Sequence, residues 1–438
     1  MNRNTGSTAH RWATESGGNR IEVDVAVVGG GPAGLAAATA LAAIGVSVAL
    51  LDRESAEKRT EAGFDGRTTA LTYGSANVLK GIGAWEGMAA DAQPIVATDV
   101  VDRFSPIHLL VGQEAIGDHP YGFNVENGYI RRALIQRFRS LPGALDLSPC
   151  SVTAIDVGGA NDDGGVTISL DDGRTVRAAL LVGADGRGSI VRKAAGIRAR
   201  RWDYDQTALV FNIHHEKSHR GIAVEHLLDG GPFAIVPMTD EADGRHRSAI
   251  VWCERRADAP AFLALPDDRF DAEIAWRTAG RLGRVEHYGQ RFSYSISGLH
   301  AERYVVPGIA LAGEAAHAVH PIAAQGLNLS MRDAAALAEV VAGARREGTG
   351  RGGAGIGSLS VLRQYERWRR FDTLQTIAYT DTFLRVFLTR RPGVRFARNA
   401  VLGAINASLP LKRRIIRDAM GFAGPQRPAL MDGLLPAS

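Results

Sequence analysis

The chain has 438 residues, with 51 Lys and Arg against 47 Asp and Glu, a formal balance of +4. A hydrophobic share of 45% and a charged share of 22% exclude a wholly disordered or fibrous chain, and the length allows two or three domains. So small a charge balance gives no reason to expect nucleic acid as a partner. Two cysteines, Cys150 and Cys253, exclude a disulfide framework, and a reducing compartment fits them. Glycine is the outlier: 51 residues against a usual share of ~7%, so the backbone must approach something closely in several places.

Residues 1–20, rich in Asn, Ser, Thr, Gly and Arg, read as a disordered leader. Val25–Leu51 carries no charge and is long enough to cross a bilayer, but Gly29-Gly30-Gly31-Pro32 interrupts it. A buried strand over Glu22–Val28, a helix over Pro32–Ile44 and a second strand over Val46–Leu51 account for it better. The turn Gly29-Gly30-Gly31-Pro32-Ala33-Gly34 follows the first strand and opens the helix, and Asp52 closes the second strand. In a βαβ unit of about 30 residues this is a dinucleotide-binding pattern. Gly29 allows the tight turn, Gly31 lets a pyrophosphate approach the helix N-terminus, and Gly34 permits close packing. Asp52 is placed to accept hydrogen bonds from an adenosine ribose.

Val166–Leu170 and Thr175–Val182 read as a hairpin ending in Gly183-Ala184-Asp185-Gly186. Thr207–His215, Gly221–Leu228, Pro232–Met238 and Arg247–Cys253 read as successive strands of an antiparallel sheet. Ile309–Ala312 predicts a short strand, Gln325–Ala342 a helix, Arg345–Gly357 a loop, and Leu359 to about Met420 more helix. Between Thr382 and Arg417 there is no acid, while Arg385, Arg390, Arg391, Arg395, Arg398, Lys412, Arg413, Arg414 and Arg417 alternate with apolar residues. This stretch fits either a helical hairpin resting on anionic lipid or a helical cap with a solvated basic face.

Three motifs give the sequence a specific likeness: GGGPAG at 29–34, GADGRGSIVR at 183–192, and GEAAHAVHPIAAQGLNLSMRD at 313–333. Over residues 21–424 the chain resembles the class A flavin aromatic hydroxylases. The segments at 65–85 and 121–134 make it similar to their ubiquinone-biosynthesis (UbiH/UbiF-like) group. The resemblance implies an α/β fold: a Rossmann-like FAD-binding domain from 21–95, 125–197 and 298–345, an inserted antiparallel-sheet substrate domain from 96–124 and 198–297, and a C-terminal helical region, 346–438. It implies FAD held by Gly29, Gly31, Gly34, Asp52, Arg67, Asn127, Asp185, Gly313 and Glu314. Gly326, Leu327 and Asn328 would face the flavin pyrimidine edge, and Pro321 would lie close to ring and substrate. Pro321, Leu327 and Asn328 are thus positioning residues, and no acid–base residue is assigned. Glu314 stands where relatives usually have Asp, and Ala324 and Ser330 replace frequent glycines.

The implied reaction is ring hydroxylation of a polyprenylated phenol with O2 and electrons from NAD(P)H or a redox-protein donor. The implied location is cytoplasmic, peripheral at the inner membrane of a bacterial-type cell, against anionic lipid or a biosynthetic complex. A hydroxylase of another aromatic metabolite and a flavin-dependent prenyl-lipid reductase remain alternatives. His317 and His320 are read as structural or FAD-positioning rather than proton-transferring, His214, His215 and His226 as sheet histidines, and Trp202 and Tyr204 as core packing rather than pocket lining. No metal-ligand spacing occurs, so no metal is expected, and Ser189 lies in no G-x-S-x-G motif.

Overall fold

The computed structural model describes residues 19–61, 67–102, 108–112, 119–158, 165–347, 355–389, 391–417, 420 and 427–437. The leader expected over 1–20, but for its last two residues, and most of the loop expected over 345–357 fall outside them. In chain order the elements are β1 (Arg20–Val28), α1 (Pro32–Ala43), β2 (Val48–Leu51), α2 (Ala56–Glu61), β3 (Thr68–Thr72), α3 (Tyr73–Gly81), β4 (Gln93–Ile95), β5 (Ala97–Asp102), β6 (Leu109–Gly112), β7 (Gly122–Glu126) and α4 (Asn127–Ser140). Next come β8 (Ala144–Asp146), β9 (Val152–Val157), β10 (Val166–Leu170), β11 (Thr175–Gly183), α5 (Ile190–Ala194), β12 (Ala199–His215), β13 (Ile222–Leu227), β14 (Pro232–Pro237) and β15 (His246–Arg255). The rest are α6 (Ala259–Leu263), α7 (Asp267–Thr278), β16 (Val285–Ala301), β17 (Val305–Val306), β18 (Ile309–Leu311), β19 (His317–Ala318), α8 (Gln325–Arg346), α9 (Leu359–Leu388), α10 (Pro392–Ala407) and α11 (Leu409–Arg417).

The first sheet runs β17-β18-β11-β1-β2-β8, with β10 and β9 continuing from β11. Strands β1, β2, β8, β11 and β18 pair in parallel, and β2 and the end of β1 are buried on both faces, which is why they read as unbroken apolar runs. Alanine-rich α1 has no polar face because it is enclosed between this sheet and α8.

The second sheet runs β19-β16-β12-β15-β14-β13-β5-β6 and is antiparallel except for the parallel pair β13–β5. One face holds Phe211, Phe233 and Trp252 against Phe270 and Ile274 of α7. The other, carrying Val210, Cys253 and Leu227, turns toward residues 320–328 and the C-terminal helices. Helices α6 and α7 and the long strand β16 were not anticipated from the sequence. The third sheet, β3-β7-β4, is small.

Helix α9 begins against α8, where Tyr365 Oη donates to Leu311 O at 2.7 Å, and ends beside the second sheet. A 3-10 turn, Ala429–Asp432, returns to α3, burying Leu430 and Met431. Among the described residues no helix is long and apolar enough to cross a membrane.

Candidate cofactor and substrate site

The three glycines of the first turn differ in what surrounds them. At Gly29 (φ +110°) a Cβ would lie 2.4 Å from Ala184 O, and at Gly34 it would lie 1.9 Å from Gly29 O. Both are therefore required by the protein's own packing, the first because β1 ends beside the Gly183–Gly186 motif. At Gly31 a Cβ would meet no protein atom within 4 Å. Gly31 is also the N-cap of α1, with no side-chain cap and no acid in the first turn. The free N–H groups of that turn and the clear face beside them fit a diphosphate.

Asp52 accepts hydrogen bonds from Gly30 N (2.5 Å) and Glu54 N (2.8 Å), so it shapes the turn itself. Arg59, buried and unremarked in the sequence, donates from Nη1 to Gly30 O at 2.9 Å and from Nη2 to Ser148 Oγ at 2.7 Å. Its guanidinium fills the space beside the middle glycine: a Cβ at Gly30 would lie 1.9 Å from Nη1 and would displace that side chain.

Asp185 takes Ser189 Oγ at 2.6 Å and Ile190 N at 2.6 Å, which makes it the brace of the α5 start. Glu314 is ion-paired with Arg187 at 3.0 Å, and Arg187 also reaches Ser297 Oγ at 2.7 Å on β16. Arg187 lies inside the second motif, so the sequence carried the signal for it. At Gly313 (φ +58°) a Cβ would lie 2.9 Å from Ala33 Cβ and 3.2 Å from Ser330 Oγ, so the first turn of α1 and the second turn of α8 converge there.

Before α8 the chain makes two successive left-handed residues, Ala323 (φ +59°) and Ala324 (φ +51°). Asn328, wholly buried, holds this turn by donating to Ala324 O (2.7 Å) and Ala70 O (2.8 Å) and accepting from Thr72 N at 2.9 Å. Its side chain is thus committed to β3, and what the start of α8 offers outward is backbone. The helix has no side-chain cap or first-turn acid, and a Cβ at Gly326 would meet nothing within 4 Å. This open positive end fits the electron-rich edge of a flavin ring. Pro321 caps the 3-10 turn just before it, and Leu327 packs against the main core.

His320 is buried; Nδ1 accepts from Ile322 N at 3.1 Å, so Nε2–H donates to Gln206 Oε1 at 3.0 Å. Burial lowers its pKa to about 4, which keeps the ring neutral at ordinary pH. His317 lies 2.7 Å from Asp333, which also accepts from Gly313 N at 2.9 Å and pairs with Arg369. Arg369 and Arg332 both reach Asp372, at 2.5 and 2.8 Å, closing a buried ionic network beneath the third motif. Burial would raise the Asp333 pKa, but the charges of His317 and Arg369 outweigh it and hold the carboxyl well below its usual range.

Arg67 and Asn127 are brought together, with Asn127 N donating to Arg67 O at 3.1 Å, and the Arg67 guanidinium stands over Tyr294 of β16 at 5.5 Å. His214 stacks on Tyr288 at 4.0 Å, His215 reaches Ser248 Oγ at 3.0 Å, and His226 reaches Arg277 O at 2.9 Å. Tyr204 donates to Asp381 at 2.6 Å and lies edge-on to His320, while Trp202 covers Gly298. Among the described residues no group of three or more His, Cys, Asp or Glu could hold a metal ion.

The basic tail needs one correction. Arg398 faces inward: it is 4% exposed, pairs with Asp102 of β5, and its guanidinium lies 5.0 Å from the Phe387 ring centroid. Burying a charge requires a partner, and Asp102 supplies it. Arg390 and the Arg395 side chain lie outside the described residues. Arg391, Arg413, Arg414 and Arg417 are exposed, as are Phe396 (79%) and Val401 (58%) of α10.

Residues 22–365 match the family described as "FAD binding domain". Ubiquinone hydroxylase UbiL of Rhodospirillum rubrum is 44% identical over 414 residues, 94% of this chain and 93% of that protein. The 3-demethoxyubiquinol 3-hydroxylase of Escherichia coli is 30% identical over 401 residues, 91% and 98% of the two chains. The crystal structure of p-nitrophenol 4-monooxygenase PnpA from Pseudomonas putida DLL-E4 superposes with a TM-score of 0.73 at 22% identity, covering 93% of this chain and all of that one. The chain belongs to the FAD-binding-domain family and is an FAD-dependent aromatic monooxygenase.

Proposed function

We propose that this monooxygenase hydroxylates the ring of a polyprenylated phenol on the route to ubiquinone, taking electrons from NAD(P)H or a redox-protein donor. The observation that carries the reading is the apolar wall facing the start of α8. Leu227 of β13, Ile322 and Leu384 of α9 form one cluster there, and Tyr379, Phe383 and Phe387 continue it along α9 with ring centroids 6.1 and 4.2 Å apart. A stripe at i, i+4 and i+8 suits a long hydrocarbon better than a small polar metabolite. The names of the two hydroxylases similar to this chain support the same substrate class.

Reduced FAD supplies the activation of O2 when it is bound. In this reading Gly31 and the α1 N-terminus hold the diphosphate, while Gly29, Gly34 and Asp52 fix the turn that presents it. Gly313, Glu314, Asp185, Arg67 and Asn127 position the nucleotide and ribityl chain, partly through one another. The backbone of Gly326, Leu327 and Asn328 stabilises negative charge at the flavin edge, and Pro321 borders ring and substrate. The second sheet with β5 and β6 is the substrate unit, and the first sheet with α1 and α8 the nucleotide unit. Exposed Phe396 and Val401, with Arg391, Arg413, Arg414 and Arg417 on the same helical tail, support peripheral contact with anionic membrane, where such a substrate is dissolved.

Purified FAD-loaded enzyme should hydroxylate 2-prenylphenols with incorporation of one atom from labelled O2. Binding should tighten with tail length by up to ~0.8 kcal/mol per buried methylene. Indifference to tail length, with tight binding of a small carboxylated phenol, would overturn the substrate class. Co-sedimentation with anionic vesicles should weaken with salt and when Phe396, Val401, Arg413 and Arg414 become Ser, Ser, Gln and Gln. Unchanged sedimentation would leave a protein partner as the occupant of that face.

A further inference from the structure

One row of side chains across six neighbouring strands, on the inner face of the second sheet, is apolar but for one member. Val100, Glu225, Ala234, Val251, Val210 and Phe292 stand opposite one another in register, from β5 through β13, β14, β15 and β12 to β16. Strand alternation sets the face of Glu225. Val224 and His226, on either side, turn to the α7 face, where Val224 joins the aromatic core and His226 bonds Arg277 O. Leu227, two residues on, packs against Ile322, next to Pro321. Glu225 therefore looks into the space between the sheet, the residues preceding α8 and the aromatic stripe of α9.

Among the described residues this carboxylate accepts no hydrogen bond and pairs with no cation. A charge left unpartnered among apolar side chains is costly, and proteins keep such groups chiefly where they act. The neighbours leave it so. Cys253 on β15 and Tyr379 on α9 are acids that feel its charge, and Arg398, which reaches the neighbouring strand β5, is taken by Asp102.

We infer that Glu225 is a catalytic residue of this enzyme, the base that takes the proton from the phenol hydroxyl of the substrate. This rests on the phenol reading above. The phenol O–H bond breaks, a carboxyl O–H bond forms on Glu225, and the electron pair stays on the phenolate oxygen, enriching the ring for oxygen transfer. No electron is exchanged in this step. Burial raises the Glu225 pKa to about 7, where a base is most effective near neutral pH.

The test compares FAD-loaded wild type and Glu225→Gln, an isosteric change whose retained flavin absorbance reports an intact fold. The probes are 4-nitrophenol and 2-farnesyl-4-nitrophenol, titrated by calorimetry in buffers of different ionisation heat, at a pH where the free probe is already phenolate. Wild type should take up a proton with each probe bound, because carboxylate and phenolate cannot share the cavity without one. E225Q should take up none. In turnover, E225Q should hydroxylate roughly 10²-fold more slowly and lose the acid limb of the pH profile near neutrality. Equal proton uptake in the two proteins, or an unchanged rate and pH profile, would overturn the assignment. If the farnesyl chain adds no affinity while the proton count still differs, the prenyl substrate falls and Glu225 stands. If neither probe binds wild type, both readings fall.

Discussion

Arg369 of α9 donates its Nε–H to Asp333 of α8 at 2.6 Å, and the two side chains are exposed by only 5% and 0%. Asp333 in turn carries His317 and the N–H of Gly313, so this pair ties a C-terminal helix to the loop at Gly313. Arg369→Met should strip the carboxylate of its bonded guanidinium and cost about 3–5 kcal/mol in urea unfolding. Replacing Asp333 by Asn as well should recover part of that loss. A single variant as stable as wild type would show the pair to be dispensable.

Gly31→Val should abolish flavin absorbance while leaving the unfolding midpoint of the cofactor-free protein almost unchanged, because no protein atom stands where its Cβ would go. Gly34→Ala should instead lower that midpoint, since its Cβ collides with Gly29 O. Asp52→Ala should weaken FAD less than Gly31→Val, by loosening the turn at Gly30. Full FAD occupancy in Gly31→Val would remove this turn from the site.

Ala324 holds a left-handed conformation that costs a non-glycine residue roughly 1–2 kcal/mol, partly offset by the lower chain entropy of alanine when unfolded. Ala324→Gly should therefore stabilise the protein by about 0.5–1 kcal/mol without altering FAD affinity. Destabilisation by this change would mean that the alanine methyl is needed for packing.

A buried histidine and a half-buried glutamate should pull stability in opposite directions with pH. His320, its pKa lowered to about 4, binds its proton later in the fold than when unfolded, so stability falls as pH drops from about 6.5 toward 4. His320→Gln should flatten that fall by an amount on the order of 2 kcal/mol. Glu225, raised to about 7, adds stability that is fully present below its unfolded pKa and lost as pH rises through neutrality. Glu225→Gln should accordingly raise the melting temperature at pH 8 and leave it unchanged at pH 4. The reverse ordering would contradict an unpartnered carboxylate.

The βαβ unit was legible because each of its signals is local: Gly29 to Gly34, an alanine helix and Asp52 occur within one short run. Strand β16 was not. It mixes Gly289, Arg291 and several serines, and its residues alternate only weakly in burial because β12 opposite it is bulged twice. Arg398 was misread for a different reason: a run of basic residues looks like a solvated face until Asp102, far away in sequence, is brought against it. Glu225 escaped notice because a single acid in a strand reads as the solvent-facing half of an alternation. Only the packing of Val224 against α7 shows that Glu225 takes the opposite face, toward α9.

Leu430 and Met431 lie wholly inside the core of the first sheet and its helices, with Leu430 Cδ2 only 2.7 Å from where a Cβ on Gly81 would stand. Asn77 is bonded to Met431 O at 3.2 Å. During synthesis the unit built on the first sheet, though begun first, must wait with part of its interior wet until about 350 further residues have left the ribosome. The second sheet, whose strands span a shorter stretch, can close before it. The half of the molecule that is made first is thus the last to be finished.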